Sequence, residues 1–507
     1  MDYQHFIWKE TSPGQYERDI DEAEQSYTSL AKTWEGTGHT FFAITACIGV
    51  KVTQEEGANS QELDGKVDNA FKYAWKRLRF DHPTLASAVI FDTATKKCKK
   101  VYKSPSTESD IEAWMKESFK IIQNGQSGEE FANSDPPLGA MATIYLVKPP
   151  QTSSGDVRRD IFFRSHHDII DGMGTLHFLS NLLRHASSAF APDNQTLDWN
   201  FGSEIKNLSP PFRLAASLPA SPSPSQLERL ESIRAINAEA RAENEVLSLP
   251  ITSKNIMPRK SQRVALHFST SETASIISKC KQHGATPTHA FHAAIALALR
   301  DIQTLDSEAR PARYMTYSLL NLRNSCFAPY NTQQHAAAVY HCVSARHLVI
   351  DTAVPAATEG EQKGKNQNPE EFLTALEQVK TYAKSIKVDE DYLSIVPSLF
   401  SAVTPPYPEG PSPVPAPNPT PPVSLSSLGV ADHIFQPRYR DFEIVSEPWV
   451  VGAEYSTGYG LFLGTWKGVM CLSAAYNEAF HEKVELLAFL ERVASIVCEG
   501  LVVDRDE

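Results

Sequence analysis

The chain has 507 residues, 41% of them hydrophobic and 21% charged, with a formal net charge of −13. That length supports two sizeable cores, and the composition is that of an ordinary globular protein. The acidic balance argues against nucleic acid and anionic membranes as main partners, and no apolar run is long enough to span a bilayer.

The N-terminus, Met1 to Glu10, lacks a charged-then-apolar leader pattern. Cys47, Cys98, Cys280, Cys326, Cys342, Cys471 and Cys498 are scattered singly with no Cys-x-x-Cys pair. Both features fit reduced thiols and a cytoplasmic setting. Residues 1–207 mix strand-like runs at 41–52, 86–91, 142–147 and 161–163 with helical ones at 67–78 and 111–122. This alternation predicts an α/β or α+β domain, with an exposed loop at 124–135. A Pro- and Ser-rich stretch over 208–225 and a charged helix over 226–244 read as a crossover, so 208–262 links to a second domain at 263–507.

That second region opens with the alternating strand Val264 to Phe268. Ser269 and Glu272 then have capping-box spacing for a helix ending near Gly284, and Thr286-Pro287 starts another through Leu299. Residues 404–423 carry ten prolines and read as an extended surface insertion. Residues 460–464 and 468–475 predict a strand pair, followed by a closing helix over 482–499.

The most specific stretch is Arg164-Ser-His166-His167-Asp-Ile-Ile-Asp171-Gly172. It joins a strand-like run to a helix marked by Met173, Leu176, Leu179, Leu182 and Leu183, and Gly172 gives the backbone room for that turn. Imidazole is the side chain suited to proton transfer at neutral pH, and an acid four residues on can fix its loop. On local chemistry alone, a catalytic pair and a structural polar cluster both stand. No nearby Cys, His or Glu completes a metal set, and His177 and His185 have no zinc-like spacing to the pair.

His166-His167-x-x-x-Asp171-Gly172 resembles the signature of the chloramphenicol-acetyltransferase-like superfamily. Residues 269–299 resemble the opening helices of that fold's second half. Leu320-Asn321-Leu-Arg323 resembles its Asp-x-Arg element, with Asn in place of Asp. Val423-Ser-Leu-Ser426-Ser427-Leu-Gly429 and Leu472 to Glu478 resemble later strands. The chain is most similar in pattern to fungal acyltransferases of the trichothecene 15-O-acetyltransferase type. The Asp-Phe-Gly-Trp-Gly element of the plant branch is missing, and Glu454-Tyr-Ser-Thr-Gly458-Tyr-Gly460 occupies that region.

The resemblance implies two chloramphenicol-acetyltransferase-like domains, each a mixed β-sheet flanked by helices, meeting at an active-site tunnel. It implies an O-acyltransferase that uses an acyl-CoA, acetyl-CoA first among them, on a hydroxyl of a small secondary metabolite such as a terpenoid or polyketide. His167 would be the general base, and Ser426 or Ser427 an oxyanion donor. Asp171 and Arg323 would form a loop-fixing ion pair, with His166, Gly172 and Asn321 in support. No metal, nucleic acid or membrane is implied, and a monomer is expected. A carrier-protein donor, an amine acceptor, and a non-catalytic binding module of the same fold are the alternatives.

Overall fold

A computed structural model of the chain describes residues 3–54, 59–150, 156–191, 199–251, 253–357 and 369–505. Two large hydrophobic cores organise it. The first packs around the antiparallel strands Ile44–Val52 and Val157–Ser165, which pair from Ile44 opposite Ser165 to Val52 opposite Val157. Thr143–Val147 adds antiparallel to Val157–Ser165, and Phe119–Ile122 adds parallel at the edge. The helices Ser60–Asp81 and Gly172–Phe190 contribute to this core through Phe71, Trp75, Leu78, Leu176, Leu179 and Leu183.

The predicted helix over 111–122 is shorter than its apolar pattern suggests. It spans Glu108–Ser118, and Phe119–Ile122 is a strand instead. The Ser118 hydroxyl donates to the Trp114 carbonyl and accepts from Trp75 Nε1, and an extended Phe119 follows the helix. The expected loop over 124–135 contains the helix Gly128–Asn133, started by a Ser127–Glu130 capping box. Its Phe131 and Ala132 are buried, so the acidic composition hid an anchored turn.

The second core lies beneath a sheet ordered Ser261–His267, Val469–Asn477, Tyr459–Trp466, Val423–Val430. Thr270–Gln282, capped by Ser269 and Glu272, and Pro287–Asp301, capped by Thr286, pack on it together with Pro369–Ser385 and Lys483–Leu501. The two halves exchange chain. Phe442–Ile444 and Trp449–Gly452, from the C-terminal half by sequence, both pair antiparallel with Ile44–Val52. Phe442, Ile444 and Val450 belong to the first core, so burial holds this arm across the boundary.

The Pro-rich insertion is docked rather than loose. Prolines donate no main-chain hydrogen bond, so the segment is held through carbonyls and a few side chains. Pro421 O accepts from Leu249 N at 3.0 Å, and Pro422 O accepts from Tyr459 N at 3.1 Å. Ser412 Oγ donates to Lys32 O at 2.7 Å, and a Cβ at Gly36 would stand 2.2 Å from Ser412 O. Only glycine at position 36 permits that approach. No helix among the described residues is long and apolar enough to cross a membrane.

Candidate active site

The strand Val157–Ser165 ends in the loop carrying His166 and His167, and the helix Gly172–Phe190 begins five residues beyond His167. Asp171 is that helix's N-cap, accepting from Gly174 N at 2.7 Å. Arg323 Nη1 lies 2.7 Å from each Asp171 oxygen, and Tyr340 N donates to Oδ2 at 2.8 Å. Arg323 and Asp171 are 4% and 2% exposed, so this is a buried ion pair. Burial alone would raise the Asp171 carboxyl, but Arg323 and His341 beside it hold it well below the usual carboxylate range. Asn321 Oδ1 accepts from Arg323 N at 3.1 Å and so fixes the turn that presents the arginine.

The glycine that the geometry demands is Gly174 rather than Gly172. A Cβ at 174 would meet Ala336 O at 2.3 Å and Arg323 Nη2 at 2.6 Å. At 172 it would meet only Val450 Cγ1 at 3.8 Å and Leu428 Cδ2 at 3.9 Å, which is ordinary contact, and Gly172 is not among the positive-φ residues. The turn into the helix therefore needs no glycine at 172.

His167 has a different setting. Its ring stacks face to face on Tyr27, with centroids 3.7 Å apart and planes 1° apart. Tyr27 comes from the helix Glu22–Trp34, and its hydroxyl lies 2.7 Å from His341 Nε2. His341 Nδ1 is in turn 3.8 Å from Asp171 Oδ2. Asp171 thus faces Arg323 and His341, while Tyr27 covers the His167 ring. Among the described residues His167 Nδ1 is buried without a hydrogen bond of ordinary geometry. Burial first, then the neighbouring His341, pushes the His167 imidazole down to about 3, while its own carbonyl and Asp171 act weakly in the opposite sense. The ring is therefore neutral at physiological pH.

The loop is anchored at a second point. Lys100, fully buried, donates to the Asp168 carbonyl and pairs with Glu24 Oε1 at 2.6 Å. His166 points elsewhere than His167, its Nε2 3.1 Å from Gly139 O. Before the pair, Arg164 reaches Asp135 Oδ1 at 2.7 Å and the Tyr455 hydroxyl at 2.8 Å. Tyr455, whose hydroxyl also donates to Asp135 at 2.9 Å, therefore ties the C-terminal part of the chain to the base of the loop.

Ser426 and Ser427 fall on opposite faces of the strand Val423–Val430. Ser427 Oγ is 2.9 Å from Thr288 Oγ1, on the face that carries Leu425 into the second core. Ser426 pairs in register with Phe462, which packs against a buried cluster that includes Phe162 of the first half and Trp449 and Val451 of the exchanged arm. Ser426 therefore faces the seam between the halves, and Ser427 faces away from it. Among the described residues, His267, Glu447 and Cys471 are grouped closely enough to hold a metal ion. Arg263 Nη2 already stands 2.9 Å from Glu447 there and supplies the positive charge.

Tyr27, Lys100, Gly174 and His341 were not singled out by the sequence. Asp-Gly-x-Gly after the motif was a usable local signal for Gly174. Nothing local marks the other three, which the fold delivers from remote elements.

Residues 49–389 match the profile of the 15-O-acetyltransferase Tri3 family. The chain belongs to that family. It is 24% identical over 520 residues to the acetyltransferase pigO of Monascus ruber, covering 98% of this chain and 99% of that protein. The solved structure of the TRI3 trichothecene 15-O-acetyltransferase from Fusarium sporotrichioides superposes with a TM-score of 0.73 at 17% identity, covering 99% of this chain and 98% of the other. The epimerization domain from the third module of tyrocidine synthetase B gives a TM-score of 0.60 at 12% identity, with 97% and 99% covered. The Tri3-family chain thus has the chloramphenicol-acetyltransferase-like fold and is an acetyltransferase by family.

Proposed function

We propose that this acetyltransferase moves an acetyl group from acetyl-CoA to a hydroxyl of a small secondary metabolite, with His167 as general base. The observation that carries this is the neutral imidazole of His167, covered by Tyr27 on one face and not hydrogen-bonded to Asp171. A neutral ring with no carboxylate partner is free to accept a proton from a bound hydroxyl. The hydroxyl oxygen attacks the thioester carbonyl as His167 takes its proton, giving a tetrahedral oxyanion. Collapse breaks the C–S bond, and the imidazolium returns the proton to the departing thiolate. Ser426, facing the seam, is the better placed of the two serines to donate to the oxyanion. Asp171 and Arg323 hold the loop and take no proton.

Thiol release from acetyl-CoA, with a panel of hydroxylated terpenoid and polyketide acceptors, tests this with wild type beside folded His167→Ala. Release that requires an acceptor and vanishes in the variant is expected. Equal rates in both proteins would remove His167 from the reaction. An enzyme active only with a carrier-bound thioester or an amine would redirect the donor or acceptor assignment.

A further inference from the structure

His267, Glu447 and Cys471 come from three separate segments and bring a ring nitrogen, a carboxylate oxygen and a sulfur within 4.8 Å of one another. Two of them are placed by the second sheet. His267 closes its edge strand Ser261–His267 and stands directly opposite Cys471 on Val469–Asn477, so the two side chains leave the same face as cross-strand neighbours. The third comes from the exchanged arm. Glu447 lies between Phe442–Ile444 and Trp449–Gly452, the two strands that pair with Ile44–Val52 of the first sheet. Its Oε2 is 3.1 Å from His267 Nε2.

The donor set is chemically selective. One imidazole, one carboxylate and one thiol suit zinc, which takes N, O and S ligands, and do not suit calcium or magnesium, which take oxygen. Three protein ligands leave a fourth position for water, and the His267 side chain, 52% exposed, keeps that side open to solvent. Cys471 is buried, and its thiol is pushed up by burial and then by Glu447, so it keeps its proton until a metal displaces it.

Arg263 is the competing cation, yet its place does not depend on Glu447. Its guanidinium lies 4.5 Å from the centre of the Trp449 ring and 3.8 Å from Glu129, and its main-chain N donates to Asn133 Oδ1. It reaches Glu447 through Oε1, at 2.9 Å, which leaves Oε2 facing His267. A contact of this kind orients a ligating carboxylate from behind. The charges also balance. With His267 neutral, Glu447 and Glu129 exceed Arg263 by one negative charge, and a zinc ion with the Cys471 thiolate brings the total to zero.

We infer that His267, Glu447 and Cys471 form a zinc-binding clamp, which ties the exchanged arm paired with the first sheet to the edge of the second. As the metal enters, the thiol proton leaves to solvent, and the three donors exchange their contacts with one another for bonds to the ion. Binding needs neither acetyl-CoA nor an acceptor.

Chelator-treated protein, titrated with zinc by calorimetry and with cobalt(II) by absorption, tests the clamp. The expected result is one equivalent of either metal, a sulfur-to-cobalt charge-transfer band, and a melting temperature raised by excess zinc. Cys471→Ser should lose the band. His267→Asn alters an exposed ring and should weaken zinc binding by about tenfold or more, and it decides the matter should Cys471→Ser fail to fold. Neither variant's melting temperature should respond to zinc. Wild type that gives no band, a band that survives Cys471→Ser, or zinc affinity undiminished in His267→Asn would each overturn the site.

Discussion

His167 and Asp171 stand four residues apart on one loop, and their surroundings are opposite in kind. Asp171 has both oxygens engaged by a guanidinium and two main-chain N–H groups. His167 keeps a ring nitrogen without an ordinary hydrogen bond and leans on an aromatic face. The difference separates the group that must not move from the group that must react. A carboxylate so fully engaged is a poor proton acceptor, whereas the imidazole has no carboxylate bonded to it. The motif's conspicuous acid therefore contributes mainly to architecture.

The largest break in this contrast should come from His167→Ala. Acetyl transfer is expected to fall by about 10²–10⁴, the usual contribution of a general base, with the urea midpoint lowered only by the loss of the ring's stack on Tyr27. Asp171→Ala should do the reverse and cost about 3–5 kcal/mol of stability by leaving Arg323 buried without its partner. Equilibrium denaturation measures it. An Asp171→Ala protein of wild-type stability that is catalytically dead would reverse the assignment of roles. The pH sign follows from the depressed carboxyl. Its stabilisation is fully present above the unfolded value of about 4 and is lost as pH falls below that toward the folded value. Asp171→Asn should flatten the acid limb of wild-type stability.

The paired glycines sharpen the same comparison at smaller scale. Gly174→Ala pushes a methyl into Ala336 O and Arg323 and should cost roughly 1–3 kcal/mol. Gly172→Ala meets only ordinary contacts and should stay within about 0.5 kcal/mol of wild type by the same denaturation assay. If the stability order is inverted, the Asp171–Arg323 geometry is not what constrains the helix start.

Much of this was legible because the deciding signals are local. Ser269 with Glu272 and Thr286 with Pro287 fix two helix starts by their own side-chain chemistry, and the folded chain places both caps there. The loop with His166, His167 and Asp171 sits at a strand–helix junction, as its flanking apolar patterns imply. What could not be read is set by tertiary pairing. Phe119–Ile122 is a strand because Thr143–Val147 lies beside it, a partner that helical spacing cannot reveal. The strap over 404–422 has the composition of a loose insertion, yet Gly36 and Lys32, far back in the chain, hold it down. Tyr27 and His341 are separated by 314 positions and meet only in the folded chain.

The smallest expected effects probe how His167 is held, and they begin with pH. With its imidazole pushed down to about 3, His167 is already neutral across the working range, so kcat/KM should show no acid limb near the ordinary histidine value of about 6.5. His341 is the second cause of that lowering after burial, and replacing it with Gln should move the limb upward. Tyr27 separates two contributions that the wild-type protein combines. Tyr27→Phe keeps the stacked face but loses the 2.7 Å contact to His341, so kcat should drop by no more than about tenfold, or 1.4 kcal/mol. Tyr27→Leu removes the aromatic face as well and should lower kcat further, with the acceptor KM little changed, because a freed imidazole spends less time in the reactive orientation. Equal losses in the two variants would place the effect in the hydroxyl and its link to His341. A loss confined to Tyr27→Leu would place it in the stack, where the ring plane of the base is set.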